Sequence, residues 1–393
     1  MTVGYPLSPV QRHLHRVAGD RLDRHVTWLE FTTDADPAQV RAAVARLAAR
    51  HEILASAFVA VDPAVPPLQV VEQPVTVLDA ADRTDVRVTA PDVRLVAEPG
   101  PEGWTMALGW SALAVDLGCL PRVAAELEVA LGDGLDDAAA PYSMVAQWLT
   151  DFPGSAEAVA GTAFWQRDQG GEPPAGRSEP PADDRPCAVR VPLDDATVGG
   201  LHKLADHWQV GVDRIVLAVW AQLANRADGE SPTRLECYTH GRSDPELDEF
   251  LGPLGRYLPL WFADLADGPA RAAVRSADRA VTEAELHAES WVPPDSRRHR
   301  YGFDAVHVPA GAPGAGSRVT VTGAHTHSEE FLSKLSCVQA GDGLQLTLTG
   351  LGAPRQERLR DRLVHALTVL VEQGGDAPLG AVVGLPDVEA AEL

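Results

Sequence analysis

The stretch Gly170-Gly171-Glu172-Pro173-Pro174-Ala175-Gly176-Arg177-Ser178-Glu179-Pro180-Pro181-Ala182-Asp183-Asp184-Arg185-Pro186 decides how this chain is divided. Its prolines and glycines recur without apolar periodicity, which marks an exposed connection and not a helix or a strand. Two segments of similar length flank it. The expected organisation is an N-terminal lobe at 1–169, a linker at 170–187 and a C-terminal lobe at 188–393. A chain of 393 residues is long enough for each lobe to bury its own core.

Working outward, both flanks alternate strand and helix patterns. Before the linker, His25 to Thr32 reads as a strand, and Asp36-Pro37 opens a helix carrying Val40, Ala43, Val44, Leu47 and Ala48 on one face. Ile53 to Val61 and Trp104 to Val115 read as further strands, and Arg122 to Leu131 as a helix. After the linker, Ala188 to Val191 reads as a strand and Asp194-Asp195 opens a helix with Val198, Leu201, Leu204 and Ala205 inward. Val212 to Ala227 is apolar nearly all round, the pattern of a buried helix. Leu344 to Leu348 and Arg355 to Glu372 complete a second α/β lobe of related design.

Composition excludes several function classes. With 33 Lys plus Arg against 56 Asp plus Glu the formal charge is −23, which repels phosphate backbones and anionic lipid, so neither nucleic acid nor membrane is an expected partner. Hydrophobic residues at 45% and charged residues at 23% are those of a compact globular protein. Cys119, Cys187, Cys237 and Cys337 are widely spaced, without a Cys-x-x-Cys pair. No signal-like start and no apolar run of roughly 18 residues is present, so a reduced, cytoplasmic protein is expected.

Tyr5-Pro6-Leu7-Ser8-Pro9-Val10-Gln11-Arg12 resembles the first signature of the condensation-domain family of nonribosomal peptide synthetases. Arg50-His51-Glu52-Ile53-Leu54, ending at Phe58, is similar to the second, and Tyr142 with Ala146 and Trp148 to the fourth. Gly241-Arg242-Ser243-Asp244-Pro245-Glu246-Leu247, then Leu251-Gly252 and Leu258-Pro259-Leu260, resembles the fifth, and Leu379 to Leu393 the closing segment. The resemblance spans nearly the whole chain in order and spacing. It implies an α/β fold of two chloramphenicol-acetyltransferase-like lobes in a V-shaped pseudo-dimer. Between them would run a tunnel entered by carrier-bound substrates from opposite faces. It also implies no bound cofactor and no metal, the substrate riding on a partner's phosphopantetheine arm.

The third signature departs from the pattern. The family has His-His-x-x-x-Asp-Gly; here the stretch is Ser111-Ala112-Leu113-Ala114-Val115-Asp116-Leu117, in which the aspartate stands and both histidines are gone. A positioned general base contributes roughly 10² to 10⁴ in rate, and alanine can neither accept a proton nor orient an amine. Usual condensation is therefore expected to be severely impaired. Gly255-Arg256-Tyr257 replaces the family's Val-Asn-Thr, Trp261 its closing Arg, and Ala55 the Arg of the second signature. The resemblance further implies that Asp116 pairs with Arg242 as a structural contact, and it brings His240 forward as a substitute acid or base.

Other motifs carry weaker signals. Gly109-Trp110-Ser111-Ala112-Leu113 lacks the last glycine of a nucleophile elbow, which favours a plain strand serine. His325-Thr326-His327 with Glu329 and Glu330 has metal-ligand chemistry, but reads more simply as a strand end. Trp291-Val292-Pro293-Pro294 followed by Arg297-Arg298-His299-Arg300 is the densest cationic run of an acidic chain. It suggests a partner-binding segment of Trp291, Arg297, Arg298 and Arg300, the alternative being a loop whose Trp covers the core. Two functions are compatible with these features. One is a binding module for carrier-tethered intermediates that recruits a tailoring enzyme such as an oxygenase. The other is an enzyme that forms an amide or ester bond, or cyclises, by positioning alone.

Overall fold

The structure is a computed structural model and describes residues 4–60, 65–71, 74–80, 86–87, 89–100, 103–132, 134–135, 137–168, 186–228, 233–242, 244–262, 266–293, 299–308, 318–327 and 331–384. Local chemistry sets the helices. Ser8 caps the helix Pro9–Ala18 and Asp36 caps Pro37–Arg50, each through a reciprocal pair with a glutamine three residues on and a proline in the first turn. Asp194 caps Asp195–Trp208 by accepting the Thr197 N–H at 2.7 Å. The helix Val212–Asp228 is buried along most of its length, and Trp220 donates its ring N–H to the Gly302 carbonyl at 2.9 Å.

Strands form three sheets. The five-stranded sheet runs Thr320–His327, Val26–Thr33, Gly103–Ser111, Asp92–Gly100, Thr76–Asp79. The six-stranded sheet runs Arg256–Phe262, Thr233–Thr239, His299–Val308, Phe331–Ala340, Gly343–Leu351, Pro186–Val191. A small sheet joins Gly4–Pro6, Leu68–Val71 and Ser56–Val59. Among the described residues two large apolar cores result, one packed on each large sheet, and a small third cluster gathers Val26, Trp28, Val86 and Ala107.

The halves of the chain exchange elements. Thr320–His327 comes from the second half, yet pairs antiparallel with Val26–Thr33, with His325 opposite Trp28, and so covers what would be a bare edge of the first sheet. Conversely Phe164 and Trp165, from the helix Ala156–Asp168, pack into the second core. Residues 170–185 of the expected linker lie outside the described residues, while Pro186 and Cys187 already belong to a strand. Among the described residues no helix is long and apolar enough to cross a membrane, and the four cysteines are free thiols.

One glycine fixes the seam between the lobes. Gly252 has φ +135°, and a Cβ there would meet the Tyr142 ring at 2.1 Å. The Tyr142 hydroxyl donates to the Pro253 carbonyl at 2.7 Å and lies 2.9 Å from Ser8 Oγ, so the ring has nowhere to retreat. Gly252→Ala is expected to destabilise the protein by about 2 kcal/mol or more, from overpacking and an unfavourable backbone together. Urea unfolding checks this; an unchanged midpoint would contradict the packing described.

Candidate functional site

The stretch Ser111–Leu117, which resembles the third signature without its histidines, begins where the strand Gly103–Ser111 ends. Ala112 continues the pairing by donating its N–H to the His25 carbonyl at 2.9 Å, and Ser111 Oγ accepts the Leu113 N–H at 3.2 Å within the turn. Ser111 is therefore a turn-forming hydroxyl. Gln11 reaches in from the helix Pro9–Ala18 and donates to the Leu113 carbonyl at 2.8 Å.

Asp116 is the hub of a buried polar knot. Its Oδ1 accepts the Cys119 N–H at 2.9 Å, and its Oδ2 accepts the N–H groups of Leu254 at 2.9 Å and Gly255 at 2.7 Å. Arg242 Nη1 stands 3.5 Å from Asp116 Oδ1 and donates to the His240 carbonyl at 2.9 Å, while Nη2 donates to the Gly252 carbonyl at 2.8 Å. Burial works against the Arg242 charge, but the Asp116 carboxylate prevails and raises its pKa. The Cys119 thiol, in the same knot, is pushed up to about 12 by burial, with Asp116 adding to the effect. It is a packed thiol and not a nucleophile.

Beside this knot lies a cavity of about 690 Å³, walled by both lobes. Ala112, 7% exposed, lies in its wall, so the position of the family's second histidine carries only a methyl group. His13, His15 and His25 line the same cavity from the first lobe. Burial holds the His15 imidazole below its ordinary pKa. Sequence reasoning passed over these three, although His13 and His15 directly follow the opening signature. Across the cavity stand Glu236, Tyr238, Arg256 and Tyr257. Arg256 Nη1 donates to the carbonyls of Ala288 and Glu289 at 3.0 and 3.1 Å, and desolvation lowers its pKa.

Other sequence candidates fall elsewhere. His240 is exposed, accepts the Arg242 N–H on its Nδ1 at 3.1 Å, and is not among the residues lining the cavity. Trp291 corrects the expectation of a surface anchor: it is 5% exposed, stacks obliquely on Trp165 with ring centroids 5.0 Å apart, and lines the cavity. Arg297 and Arg298 lie outside the described residues, and Arg300 is half-buried in the strand His299–Val308. His325 is buried with its Nδ1 3.4 Å from Glu30 Oε1. Glu329 and Glu330 lie outside the described residues, among which no group of three or more His, Cys, Asp or Glu is placed to hold a metal.

No family model and no curated protein matches the chain. Solved structures match over almost all of it. The condensation domain from the Monacolin K polyketide synthase MokA aligns with a TM-score of 0.75 at 18% identity, over 96% of this chain and 99% of that one. The teicoplanin-biosynthesis X-domain, in its complex with OxyB, gives 0.68 at 20% identity over 98% and 97%. The epimerization domain from the third module of tyrocidine synthetase B gives 0.73 at 12% identity over 98% and 98%. The chain therefore has the two-lobed, chloramphenicol-acetyltransferase-like fold of condensation domains.

Removing Asp116 would leave Arg242 buried without its carboxylate and three backbone N–H groups without their acceptor. Asp116→Ala is expected to cost about 3 to 5 kcal/mol of stability. Thermal unfolding of the variant checks this, and a melting temperature within a degree of wild type would refute the structural role.

Proposed function

We propose that this chain is a condensation-like domain of nonribosomal peptide biosynthesis that receives a carrier-tethered intermediate between its lobes and presents it to a tailoring enzyme. It does not itself form an amide bond by the usual route. The observation that carries this reading is Ala112 in the cavity wall, within a fold whose Asp116 knot is complete. A methyl group takes no proton, so the roughly 10² to 10⁴ in rate that an oriented base supplies is absent at that position. The X-domain seen bound to OxyB has the same fold, which supports an oxygenase as the kind of enzyme recruited. The intermediate would arrive on a partner's phosphopantetheine arm in the cytoplasm.

A second reading is favoured by His13, His15 and His25, which bring imidazoles to the cavity from another element. Under it the domain would join a nucleophile to the thioester by holding the two together, since orientation alone lowers a barrier substantially.

Incubating carrier-loaded thioester with amine, with and without the protein, and reading the carrier by intact mass separates the two. Under the first reading the thioester persists at its spontaneous rate while the carrier still binds. Accelerated loss of the acyl group would establish the second. Ala112→His alone is expected not to restore amide formation, because Ser111, Leu117, Gly255 and Arg256 around it also differ from the family's pattern and a base must be oriented as well as present. Robust product from that single variant would show that the remainder of the site is catalytic.

A further inference from the structure

The second-lobe wall of the cavity hides a charged group that neither reading uses. Lys334, one of the chain's two lysines, is 0% exposed on the strand Phe331–Ala340, and Asp304, 1% exposed, lies on the neighbouring strand His299–Val308. Lys334 Nζ is 2.8 Å from Asp304 Oδ2 and donates to the Thr326 carbonyl at 2.9 Å. It also donates to the Tyr257 hydroxyl at 3.2 Å, and that hydroxyl lies 3.2 Å from Asp304 Oδ2. Tyr257 and Thr326 line the cavity; Lys334 and Asp304 stand behind them.

Stability does not account for this arrangement. A fully buried ion pair is commonly replaceable by packed apolar residues without loss, because desolvation cancels much of the attraction. The surroundings invite such a replacement: Tyr257 packs against Phe331 and Tyr238, with ring centroids 4.8 and 5.5 Å away. Tyr257 itself stands where the family's pattern has the threonine of Val-Asn-Thr.

Geometry indicates what the group can do. A hydroxyl bound to a carboxylate ordinarily sits about 2.5 to 2.7 Å from it, so at 3.2 Å the Tyr257 O–H is loosely held. It can swing to another acceptor while Asp304 keeps Lys334. The Lys334 ammonium, donating into the phenolic oxygen, polarises the O–H and makes it a stronger donor. We propose that Tyr257, backed by Lys334 and Asp304, donates a hydrogen bond to the acyl carbonyl oxygen of the thioester held in the cavity. This rests on the carrier-tethered ligand proposed above and assigns the group that grips its reactive end. No bond is made or broken; the carbonyl is polarised and held.

The test uses the full chain and acetyl-pantetheine carrying ¹³C at the thioester carbonyl. Isotope-edited infrared spectra should show the carbonyl band at lower frequency when bound to wild type. Tyr257→Phe, which keeps the ring and removes only the hydroxyl, should return the band to its free position and weaken binding about fivefold. Lys334→Met alone leaves Asp304 uncompensated and can impair folding. The double variant Lys334→Met, Asp304→Leu removes both charges and should retain a smaller band shift. Bound probe with the same band position in wild type and Tyr257→Phe would overturn this proposal while leaving carrier-arm binding intact. Failure of wild type to bind either acetyl-pantetheine or acyl-carrier would overturn both.

Discussion

The Asp116 carboxylate ties the two lobes together at their seam. One oxygen caps the short turn Leu117–Cys119 on the first-lobe side, and the other takes two consecutive backbone N–H groups, Leu254 and Gly255, from the second-lobe side. Arg242 supplies the opposite charge and directs its remaining N–H groups to the carbonyls of His240 and Gly252. A buried carboxylate is tolerable only when its lone pairs are met and its charge is balanced, and here both conditions hold. The residues next along the chain, Arg256 and Tyr257, form the second-lobe wall of the cavity, so this clasp sets where that wall stands against Ala112.

Such a clasp explains how the third signature can lose its histidines and keep its aspartate. Both positions lie in the cavity wall, but alanine at 112 buries no uncompensated polar group, whereas the Asp116 carboxylate is bound by three backbone N–H groups and faces Arg242. A histidine-to-alanine change removes chemistry with little structural penalty. An aspartate change would strand a guanidinium and three amides. The aspartate and the histidine positions of such a motif are therefore energetically separable.

Much of this was legible in the sequence because the deciding forces are local or periodic. Asp36-Pro37 and Asp194 announce their helices through caps that form within three residues, and the run Val212 to Ala227, apolar nearly all round, is buried along most of its length. Strand ends were legible only approximately: Trp104 to Val115 reads as one apolar run, but the strand ends at Ser111 and the last bond to the neighbouring chain segment is made by Ala112. The exchange of Thr320–His327 into the first sheet has no local signal, since alternation reveals a strand and not its partner. Trp291 misled for a related reason. A tryptophan beside prolines and arginines reads as an exposed anchor, yet the stacking of Trp165 against it is a contact over 126 positions of sequence.

The group behind Tyr257 illustrates the deeper limit. Lys334 sits in Leu332-Ser333-Lys334-Leu335, where strand alternation would place a lysine on a solvated face, and Asp304 in Phe303-Asp304-Ala305 carries the same suggestion. Both are buried, and Lys334 also reaches the other large sheet, where the Thr326 carbonyl accepts from it at 2.9 Å. The inward-facing charges of two adjacent strands then find each other 2.8 Å apart. Burial strengthens their field at the Tyr257 hydroxyl, which contacts both, because few water molecules screen it. The first-lobe wall thus carries alanine at position 112 along with His13, His15 and His25, and the second-lobe wall has the Lys334–Asp304 pair behind Tyr257. For the carrier-tethered ligand proposed above, that arrangement suits holding an acyl group by its carbonyl.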